Sequence, residues 1–423
     1  MKKYAIFGNP VIHSKSPQIF NSLFKEYGQS NVYNRIKVNE ASEIIDIFNQ
    51  YDLSGANITS PFKEAIIPFL DGIDNISKEV NAVNTVVKKD NHYYGFNTDV
   101  YGVENAIINN GLSVKNKKCI VIGAGGAAKA AIYALKSLGA SVFSTNRTDS
   151  KSLEISIFFN CNHIIYRDIE NNILDTHLLV IAVPKLDINL KMKDTIILDA
   201  NYNLSAFKGN GMRIVDGHDW LIHQASKTFE IFFDKLPNHL KMKQSLKHGT
   251  SRPLNIALIG MPGVGKSYYG KILAAKINKT FYDTDELIET RSKMSINDIF
   301  NNFGEIRFRN YEEEVISKLS TFENTIVAFG GGSILSQKVR DILKKEYFVI
   351  NLHLSLDKLV NIFGSKESID RRPLLSSGTL MKDIMSIFNN RKEYYLSLSD
   401  LTINLGDCTY ERNALEMFKE LLV

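Results

Sequence analysis

Short apolar runs alternate with amphipathic stretches along most of the chain. Residues 119–122 (CIVI) and 141–144 (SVFS) have the length and composition of buried strands, and an alanine-rich stretch that ends near Gly139 lies between them. Another apolar run, residues 254–259, precedes a second helical stretch. This alternation is typical of parallel sheets, because the crossover between two parallel strands is usually a helix. The pattern therefore predicts an α/β fold.

A polar, basic segment at residues 241–253 divides the chain. It is poor in apolar residues and ends in proline just before an apolar run, which is typical of a linker. A chain of 423 residues is also too long for one ordinary core. We expect one domain over residues 1–240 and another over residues 254–423, with few contacts between the two sides.

Composition excludes several classes of protein. The fractions of hydrophobic and charged residues, 44% and 23%, are typical of soluble globular proteins, and no apolar run approaches the roughly 18 residues of a membrane span. The cysteines, Cys119, Cys161 and Cys408, lie far apart, which favours a reducing cytoplasm over a disulfide framework or a zinc site. The net charge of +5 is small and no dense stripe of Lys and Arg is present. We expect small-molecule ligands and neither nucleic-acid nor membrane partners.

A glycine-rich turn lies between a predicted strand and a predicted helix. Residues 123–128 (GAGGAA) satisfy the pattern G-x-G-x-x-G/A, in which glycines let the backbone approach a pyrophosphate at a helix N-terminus. Arg147 ends the next strand, where NAD enzymes usually have an acidic residue. Its planar cation suits a 2′-phosphate, so NADP is favoured. The alternative is that Arg147 is a solvated surface charge.

Two charged residues suggest acid–base chemistry in the first half. The sequence TSPFKE around Lys63 has the order of a helix cap, a proline and a first turn, and a cation is disfavoured at that end of a helix. Asp99 offers a carboxylate that could pair with this amine; the alternative is a helix N-cap. Upstream, Ser14 and Ser16 supply hydroxyls, although a loop hydroxyl and a helix cap are the simpler interpretations.

A complete phosphate-binding motif begins the second half. Residues 260–267 (GMPGVGKS) match G-x-x-x-x-G-K-[ST]. The backbone N–H groups of this motif surround phosphates, Lys266 reaches the β and γ oxygens, and Ser267 can bind Mg²⁺. The next predicted strand ends in Asp283 and Asp285, expected on the same face because strand side chains repeat every two residues. One carboxylate could serve the metal and the other could orient an acceptor hydroxyl.

The other polar motifs of the second half have simpler alternatives. Arg309 and Glu312 have the spacing of an i,i+3 ion pair on a helix. Residues 330–332 (GGG) could form a tight turn, and Arg371 and Arg372 could lie in a solvated loop.

The motifs of the first half, in order and content, resemble those of the shikimate dehydrogenase family over about residues 1–240. The resemblance implies a two-lobed enzyme that reduces 3-dehydroshikimate with NADPH, with residues 1–100 and about 216–240 in one lobe and about 101–215 in a Rossmann lobe. Lys63 and Asp99 match the catalytic pair, with Lys63 as proton donor to the nascent alkoxide. The implied substrate ligands are Ser14, Ser16, Thr59, Asn84 and Gln224. The implied NADP ligands are Gly123, Gly125, Gly126, Ala127, Asn146, Arg147 and Thr148.

The motifs of the second half resemble those of the shikimate kinase family over about residues 254–423. The resemblance implies a P-loop domain with a parallel sheet that phosphorylates shikimate with ATP and Mg²⁺, with Lys266 and Asp285 as catalytic residues. The implied ATP ligands are Gly263, Gly265, Lys266, Ser267 and, on a lid, Arg372. The implied shikimate ligands are Asp285, Arg309, Gly331, Gly332 and Arg391. Ser267 and Asp283 are implied for Mg²⁺.

The product of the first implied reaction is the substrate of the second, so we expect a bifunctional enzyme of aromatic amino-acid biosynthesis. Two alternatives stay open: the first half could also oxidise quinate, or it could be a non-catalytic scaffold for the kinase. The chain departs from the family patterns at Asn81 and Val100, where glycines are usual, and at residues 181–184 (IAVP). It also has Leu204 in place of a proline, and residues 359–364 lack an arginine that the kinase family usually has there.

Overall fold

The structure is a computed structural model, and it describes residues 1–184, 186, 195–201, 213–247, 255–363, 380–406 and 410–422. Contacts divide the chain into two compact units, and neither unit is one continuous segment. The first unit consists of Met1–Pro17, Asn31–Asp52 and Gly249–Val423. The second consists of Gln18–Ser30 and Leu53–His248. This division differs from the expected chain-order domains, because two N-terminal segments belong to the same unit as the second half of the chain.

The elements of the described residues follow the predicted alternation. The strands are β1 (Lys3–Gly8), β2 (Val32–Lys37), β3 (Gly55–Ile58), β4 (Gly72–Ile73), β5 (Thr85–Lys89), β6 (His92–Phe96), β7 (Lys118–Ile122), β8 (Ser141–Thr145), β9 (Asn162–His163), β10 (Leu178–Ile181), β11 (Ile196–Asp199), β12 (Ile214–Val215), β13 (Asn255–Gly260), β14 (Thr280–Asp283), β15 (Thr325–Ala328), β16 (Tyr347–His353) and β17 (Leu401–Asn404). The helices are α1 (Ser16–Glu26), α2 (Ser42–Gln50), α3 (Phe62–Ala65), α4 (Asn75–Val80), α5 (Asp99–Asn109), α6 (Gly126–Ser137), α7 (Asp149–Phe159), α8 (Ile169–Asn172), α9 (Gly217–Phe233), α10 (His239–Lys247), α11 (Lys266–Ile277), α12 (Thr284–Ser292), α13 (Ile296–Leu319), α14 (Gln337–Glu346), α15 (Leu356–Phe363), α16 (Leu380–Leu398) and α17 (Tyr410–Leu422). Short 3-10 helices lie at Ile67–Phe69, Tyr166–Asp168 and Ser333–Leu335. None of the helices in the described part of the chain is long and apolar enough to cross a membrane.

A parallel sheet with the strand order β14-β15-β13-β16-β17-β2-β1 forms the centre of the first unit. The interior strand β13 is buried at every position, as expected for a parallel sheet covered on both faces. Strand β17 pairs with β2 through Thr402 opposite Ile36 and Ile403 opposite Lys37. Each of these strands would otherwise present unpaired backbone groups at a sheet edge. The N-terminal strands therefore extend the sheet that carries the phosphate-binding motif.

Buried hydrogen bonds reinforce this join within the first unit. The side-chain amide of Asn34 donates to the carbonyls of Leu396, at 3.0 Å, and Ser399, at 2.6 Å. The hydroxyl of Tyr51 lies 3.1 Å from Nδ1 of His353 and accepts from the amide of Asn351 at 3.0 Å. The expectation of few contacts between the two sides of the boundary is therefore wrong. Composition identified a polar segment, but it carries no information about which sheet edges pair.

The predicted linker, residues 241–253, is helical over its first part. Helix α10 continues to Lys247, and the side chain of Met242 is fully buried. Lys and Gln are good helix formers, so this polar segment can form a helix. Its buried residue is Met242. Residues 248–254, including the first residue of the predicted strand at 254–259, lie outside the described residues.

Two sheets form the second unit. One is mixed, with the order β3-β5-β6-β4; the other is parallel, with the order β12-β11-β10-β7-β8-β9. Its central strands, β7 and β10, are apolar on both faces, so that Val121 packs in one core and Ile120 in the other. Helix α6 follows β7 through the glycine-rich turn. This is the arrangement of a dinucleotide-binding lobe.

Helix α9 joins the two parts of the second unit. It packs closely on α5, since a Cβ added to Gly102 would lie 2.9 Å from the carbonyl oxygen of Trp220. On the other side, the hydroxyl of Thr228 lies 3.1 Å from the hydroxyls of both Thr85 and Thr98. Helix α9 therefore extends from the parallel-sheet lobe to the mixed-sheet lobe, where it contributes side chains to a polar cluster.

Candidate active sites

A lysine and an aspartate form a close ion pair in the second unit. Lys63 lies in the short helix α3, and Asp99 is the first residue of α5. The Nζ atom of Lys63 lies 2.5 Å from Oδ2 of Asp99, and the two side chains are only 14% and 3% exposed. A buried charge without a partner would be costly, so each group stabilises the charge of the other. The sequence suggested this pairing of Lys63 with Asp99. The alternative, that Asp99 is the N-cap residue of α5, does not hold, because Thr98 has that position.

Amide and hydroxyl side chains surround the beginning of α5. The amide of Asn84 donates to Oγ1 of Thr98 at 3.0 Å and to Oε1 of Gln224 at 3.2 Å. Its oxygen accepts from the backbone N–H of Thr98 at 2.7 Å. The structure thus brings Asn84 and Gln224 together beside the residue that precedes Asp99. Such a cluster offers donors and acceptors to a polyhydroxylated molecule.

Two further members of this cluster were not predicted as site residues. The amide of Asn57 donates to Oγ1 of Thr85 at 3.0 Å and to Oγ1 of Thr228 at 3.3 Å. Asn57 belongs to the stretch GANITS, residues 55–60, and its amide in that stretch could have identified it as a candidate site residue. Thr228 is in the middle of a mostly apolar helix, where a threonine gives no indication of which strand it will contact.

The remaining predicted substrate ligands lie at element boundaries. Thr59 directly follows β3, and its carbonyl accepts from the N–H of Phe62 at 2.9 Å. Ser14 and Ser16 belong to the first unit and are both buried. The backbone N–H of Ser16, at the start of α1, donates to Oγ of Ser14 at 3.3 Å.

The glycine-rich turn brings the N-terminus of α6 to the ion pair. Gly123 has a φ of 134°, and a Cβ there would lie 2.8 Å from the carbonyl oxygen of Ala182. Gly125 is the N-cap residue of α6, and Ala127 lies in its first turn. A Cβ on Gly126 would lie 3.0 Å from Cδ of Lys63. Because Gly126 has no side chain, the dinucleotide motif lies directly beside Lys63.

A cleft of about 770 Å³ extends from this turn along the ends of β7, β8 and β10. Its lining residues include Ser60, Glu64, Gly125, Asn146, Arg147, Thr148 and Lys151. The side chains of Arg147, Thr148 and Lys151 are exposed. Two cations and a helix N-terminus suit the phosphates of a dinucleotide. The residues present therefore fit NADP.

The structure places most of the departures from the dehydrogenase pattern. Asn81 ends α4 with φ 51° and ψ 47°, a left-handed conformation that asparagine tolerates better than other non-glycine residues. Val100 is buried in α5, and Val183 and Pro184 line the cleft. Leu204 lies outside the described residues.

The phosphate-binding motif of the first unit forms a loop around its lysine. Gly263 and Gly265 have φ values of 83° and 88°, which side chains other than glycine rarely adopt. Lys266 begins α11, and its Nζ donates to the carbonyls of Gly260, at 3.1 Å, and Met261, at 3.0 Å. The loop and the helix N-terminus are thus arranged to bind phosphate.

A serine hydroxyl and two carboxylates lie beside this loop. The hydroxyl of Ser267 donates to the carboxylate of Asp283, whose other oxygen accepts from the N–H of Asp285 at 2.9 Å. The expectation that both carboxylates share one face of a strand is wrong, because Asp283 caps α12 and the strand ends there. Mg²⁺ is usually bound by one or two carboxylates together with substrate phosphates, so Ser267 and Asp283 fit it. No cluster of three or more His, Cys, Asp or Glu residues suited to a metal occurs in the part of the chain that the structure describes.

The second carboxylate, Asp285, has a raised pKa. Burial, and next the negative charge of Asp283, raise the pKa of Asp285 to about 6. A Cβ on Gly330 would lie 2.9 Å from Oδ1 of Asp285 and 2.8 Å from Oε1 of Glu312. Both carboxylates therefore approach the backbone closely at Gly330. A carboxylate with a pKa near the working pH is suited to act as a general base.

Two arginines converge on the triple glycine. Nη1 of Arg309 donates to Glu312 at 2.8 Å, the predicted i,i+3 ion pair, and a Cβ on Gly332 would overlap the guanidinium of Arg309. Nη1 of Arg391 donates to the carbonyl of Gly331 at 3.0 Å. The hydroxyl of Tyr395, which the sequence did not indicate, donates to the same carbonyl at 3.0 Å.

One cavity of about 690 Å³ collects these groups. Its lining residues include Gly263, Gly265, Lys266, Ser267, Asp283, Asp285, Arg309, Gly331, Gly332 and Arg391. Arg372, predicted for the lid, lies outside the described residues, as does Arg371. A phosphate-binding loop, a carboxylate base and two arginines in one cavity suit phosphoryl transfer to a hydroxyl of an anionic acceptor.

Comparisons with known proteins match both halves of the chain. Residues 262–422 match the family model described as shikimate kinase, and residues 6–86 match the shikimate dehydrogenase substrate binding domain. The chain is 32% identical over 245 residues to a shikimate dehydrogenase (NADP(+)) of Aquifex aeolicus, covering 54% of this chain and 90% of that protein. It is also 32% identical over 278 residues to the pentafunctional AROM polypeptide of Pneumocystis carinii, covering 58% of this chain and 18% of that polypeptide. Shikimate 5-dehydrogenase from Thermus thermophilus, solved in complex with NADP(H) and shikimate, has 25% identity and a TM-score of 0.53, over 58% of this chain and 99% of that one.

Proposed function

The chain belongs to the shikimate dehydrogenase family and carries a shikimate kinase domain, and from this premise we propose that it catalyses two consecutive reactions. The first reduces 3-dehydroshikimate to shikimate with NADPH, and the second phosphorylates shikimate with ATP to give shikimate 3-phosphate. We propose residues 1–240 for the first activity, residues 254–423 for the second, and the cytoplasm as the location. One observation carries the proposal: a single chain holds both the Lys63–Asp99 pair and the P-loop cavity around Asp285.

The ion pair of Lys63 and Asp99 supports the reduction. NADPH supplies a hydride to the ketone carbon, which leaves negative charge on the ketone oxygen. The ammonium of Lys63 donates a proton from Nζ to that oxygen, and the Asp99 carboxylate, 2.5 Å away, orients the amine and balances its charge. Asn84 and Gln224 present amide groups to the substrate hydroxyls. Ser14, Ser16 and Thr59 are proposed as further ligands from the family resemblance.

The cleft beside Lys63 supports NADP as cofactor. Gly123, Gly125, Gly126 and Ala127 form the turn and helix start that would accept the pyrophosphate. Asn146, Arg147 and Thr148 line the far part of the cleft, where the planar guanidinium would bind the 2′-phosphate.

The P-loop cavity supports the phosphorylation. ATP supplies the phosphoryl group, and Mg²⁺ would be held by Ser267 and Asp283. Backbone N–H groups at Gly263 and Gly265, with the ammonium of Lys266, would stabilise the charge on the phosphates. Asp285 would accept the proton of the attacking hydroxyl.

The acceptor's carboxylate would lie against the arginines of the same cavity. Arg309 and Arg391, with the backbone of Gly331 and Gly332, would bind it through charge-assisted hydrogen bonds. Arg372 is proposed for the lid from the family resemblance.

The experiment that tests the proposal uses the purified full-length chain. NADPH oxidation is followed with 3-dehydroshikimate, and shikimate 3-phosphate is measured after addition of ATP and Mg²⁺. We expect both activities from the one preparation. Phosphorylation without NADPH oxidation would indicate a non-catalytic dehydrogenase scaffold, and a kcat/KM for quinate oxidation above that for shikimate oxidation would make quinate the substrate.

A further inference from the structure

A carboxylate near the C-terminus holds the loop that follows β1. Both oxygens of Glu420 accept from the backbone N–H of Val11, at 3.2 and 3.1 Å, and one also accepts from the N–H of Ile12 at 3.1 Å. Glu420 is on α17, 409 positions away from Val11, and its side chain is completely buried. All of these residues belong to the first unit.

The hydrogen bonds to Glu420 offset part of the cost of burying its carboxyl group. Burial raises the pKa of the Glu420 carboxyl, while the N–H groups of Val11 and Ile12 and the charge of Lys37 lower it. A buried carboxylate is tolerated only where hydrogen bonds and opposite charge compensate its desolvation. An apolar side chain would pack at this position at lower cost. The carboxylate does what an apolar group cannot, which is to fix the direction of two successive N–H groups.

The other end of the same loop is held by Arg35, which is itself bonded to the C-terminal half of the chain. Nε and Nη2 of Arg35 donate to the carbonyl of Ser14 at 2.9 and 2.6 Å, and Nη1 of Arg35 donates to the carbonyl of Asp400 at 3.3 Å. Between these points, the N–H of Ser14 donates to the carbonyl of Val11 at 3.0 Å. The loop is therefore fixed on both sides of the segment that leads to Ser14 and Ser16.

We infer that Glu420 is a positioning residue for the dehydrogenase substrate. It fixes the loop at Val11 and Ile12, and the loop in turn sets the hydroxyls of Ser14 and Ser16. This inference rests on the proposed function, in which those two serines bind 3-dehydroshikimate. Its consequence is that a substitution on α17 changes substrate binding through Ser14 and Ser16, which belong to the same unit as that helix.

The test compares the full-length wild type with Glu420→Ala, Glu420→Gln and the control Glu416→Ala. Glu416 lies on the same helix, and its partners include Lys419, at 2.7 Å, and Lys37, at 3.9 Å. For Glu420→Ala we expect the KM for 3-dehydroshikimate to rise about tenfold, because the hydrogen bonds from Val11 and Ile12 to the carboxylate are lost. The value of kcat should change less than about threefold. The KM for NADPH and both kinase constants should stay within about twofold. Glu420→Gln keeps one acceptor oxygen and should give an intermediate KM.

An unchanged KM for 3-dehydroshikimate in Glu420→Ala, or an equal loss of both activities, would overturn the inference. Amide hydrogen exchange of a peptide covering residues 9–16 provides a second measurement that needs no substrate. We expect faster exchange in Glu420→Ala, and in Glu420→Gln if the alanine variant does not fold, with wild-type exchange in Glu416→Ala. Unchanged exchange in the Glu420 variants would contradict the positioning role. If residues 9–16 exchange more slowly in the wild type than in the Glu420 variants, but the wild type does not reduce 3-dehydroshikimate, only the proposed function is refuted.

Discussion

The hydroxyl of Tyr51 lies 3.1 Å from Nδ1 of His353, and both side chains are buried in the first unit. The same hydroxyl accepts from the amide of Asn351 at 3.0 Å. Tyr51 follows α2, whereas Asn351 and His353 are on β16, in the centre of the domain expected to act as the kinase. Part of the N-terminal sequence is thus built into the hydrogen-bonding of the kinase sheet.

We expect Tyr51→Phe to lower the free energy of unfolding of the first unit by about 1–3 kcal/mol. The substitution keeps the ring but leaves buried polar groups of His353 and Asn351 without this partner, and unpaired buried groups cost about that much. Urea denaturation measures the change. The control, Tyr94→Phe, removes a hydroxyl from a 40% exposed side chain of the second unit and should change the free energy of unfolding by less than about 0.5 kcal/mol. Equal effects of the two substitutions would contradict the structural role of Tyr51.

His353 should make the first unit sensitive to acid. Burial lowers the pKa of His353 to about 4 from 6.5, so below pH 6.5 the unfolded chain binds a proton that the folded chain excludes. Stability is therefore lost as the pH falls from about 6.5 to about 4, and the loss between pH 7 and pH 5 should be about 2 kcal/mol. Urea denaturation of the wild type and His353→Asn at both pH values isolates this contribution. The same pH dependence in both proteins would show that His353 is not responsible.

The kinase activity should depend on the ionisation of Asp285. Because burial and the charge of Asp283 raise its pKa to about 6, the carboxylate is present above that pH and is lost below it. We expect kcat/KM for shikimate phosphorylation to fall by about tenfold per pH unit below pH 6. Asp285→Asn should lower the rate by about a hundredfold or more and abolish this dependence. A wild-type profile that stays flat to pH 5 would exclude Asp285 as the base.

The preference for NADPH over NADH should depend on Arg147. A charge-assisted contact to the 2′-phosphate is worth about 1.5–3 kcal/mol, so Arg147→Ala should reduce the ratio of kcat/KM values for the two cofactors by about tenfold or more. The matched control is Arg167→Ala, which removes a cation that is 82% exposed and 3.9 Å from Asp168 in the same lobe. An unchanged ratio in Arg147→Ala would support a solvated surface charge.

Local sequence predicted the features that depend on neighbours in the chain. The glycine-rich turns were recognisable because each lies between an apolar strand and a helix, with Gly125 and Gly265 as the N-cap residues. The pairing of Lys63 with Asp99 was one of two interpretations of Asp99, because a cation is disfavoured at a helix start and a carboxylate can compensate it. Asp285 shows the limit of this kind of inference, because the cap formed by Asp283 ended the strand earlier than the residue pattern indicated.

Long-range packing could not be predicted in the same way. The bond from Asn34 to Leu396 spans 362 positions, and no periodicity relates the two residues. The pairing of β2 with β17 depends on which open sheet edges meet, and edge strands look alike in sequence. The polar segment near residue 241 indicated a boundary in the chain, but the boundary of the compact unit is set by contacts that the segment does not contain.

The most direct test of two separate reactions in one chain is a pair of lysine substitutions. Each lysine serves one set of residues: Lys63 is bound to Asp99, and Lys266 lies within the P-loop. Both activities are measured on full-length Lys63→Met and Lys266→Met, with circular dichroism to confirm folding. We expect Lys63→Met to lose NADPH-dependent reduction and retain near-normal phosphorylation of shikimate, and Lys266→Met to show the reverse. Loss of both activities in either folded variant would contradict the assignment of the two reactions to separate sites.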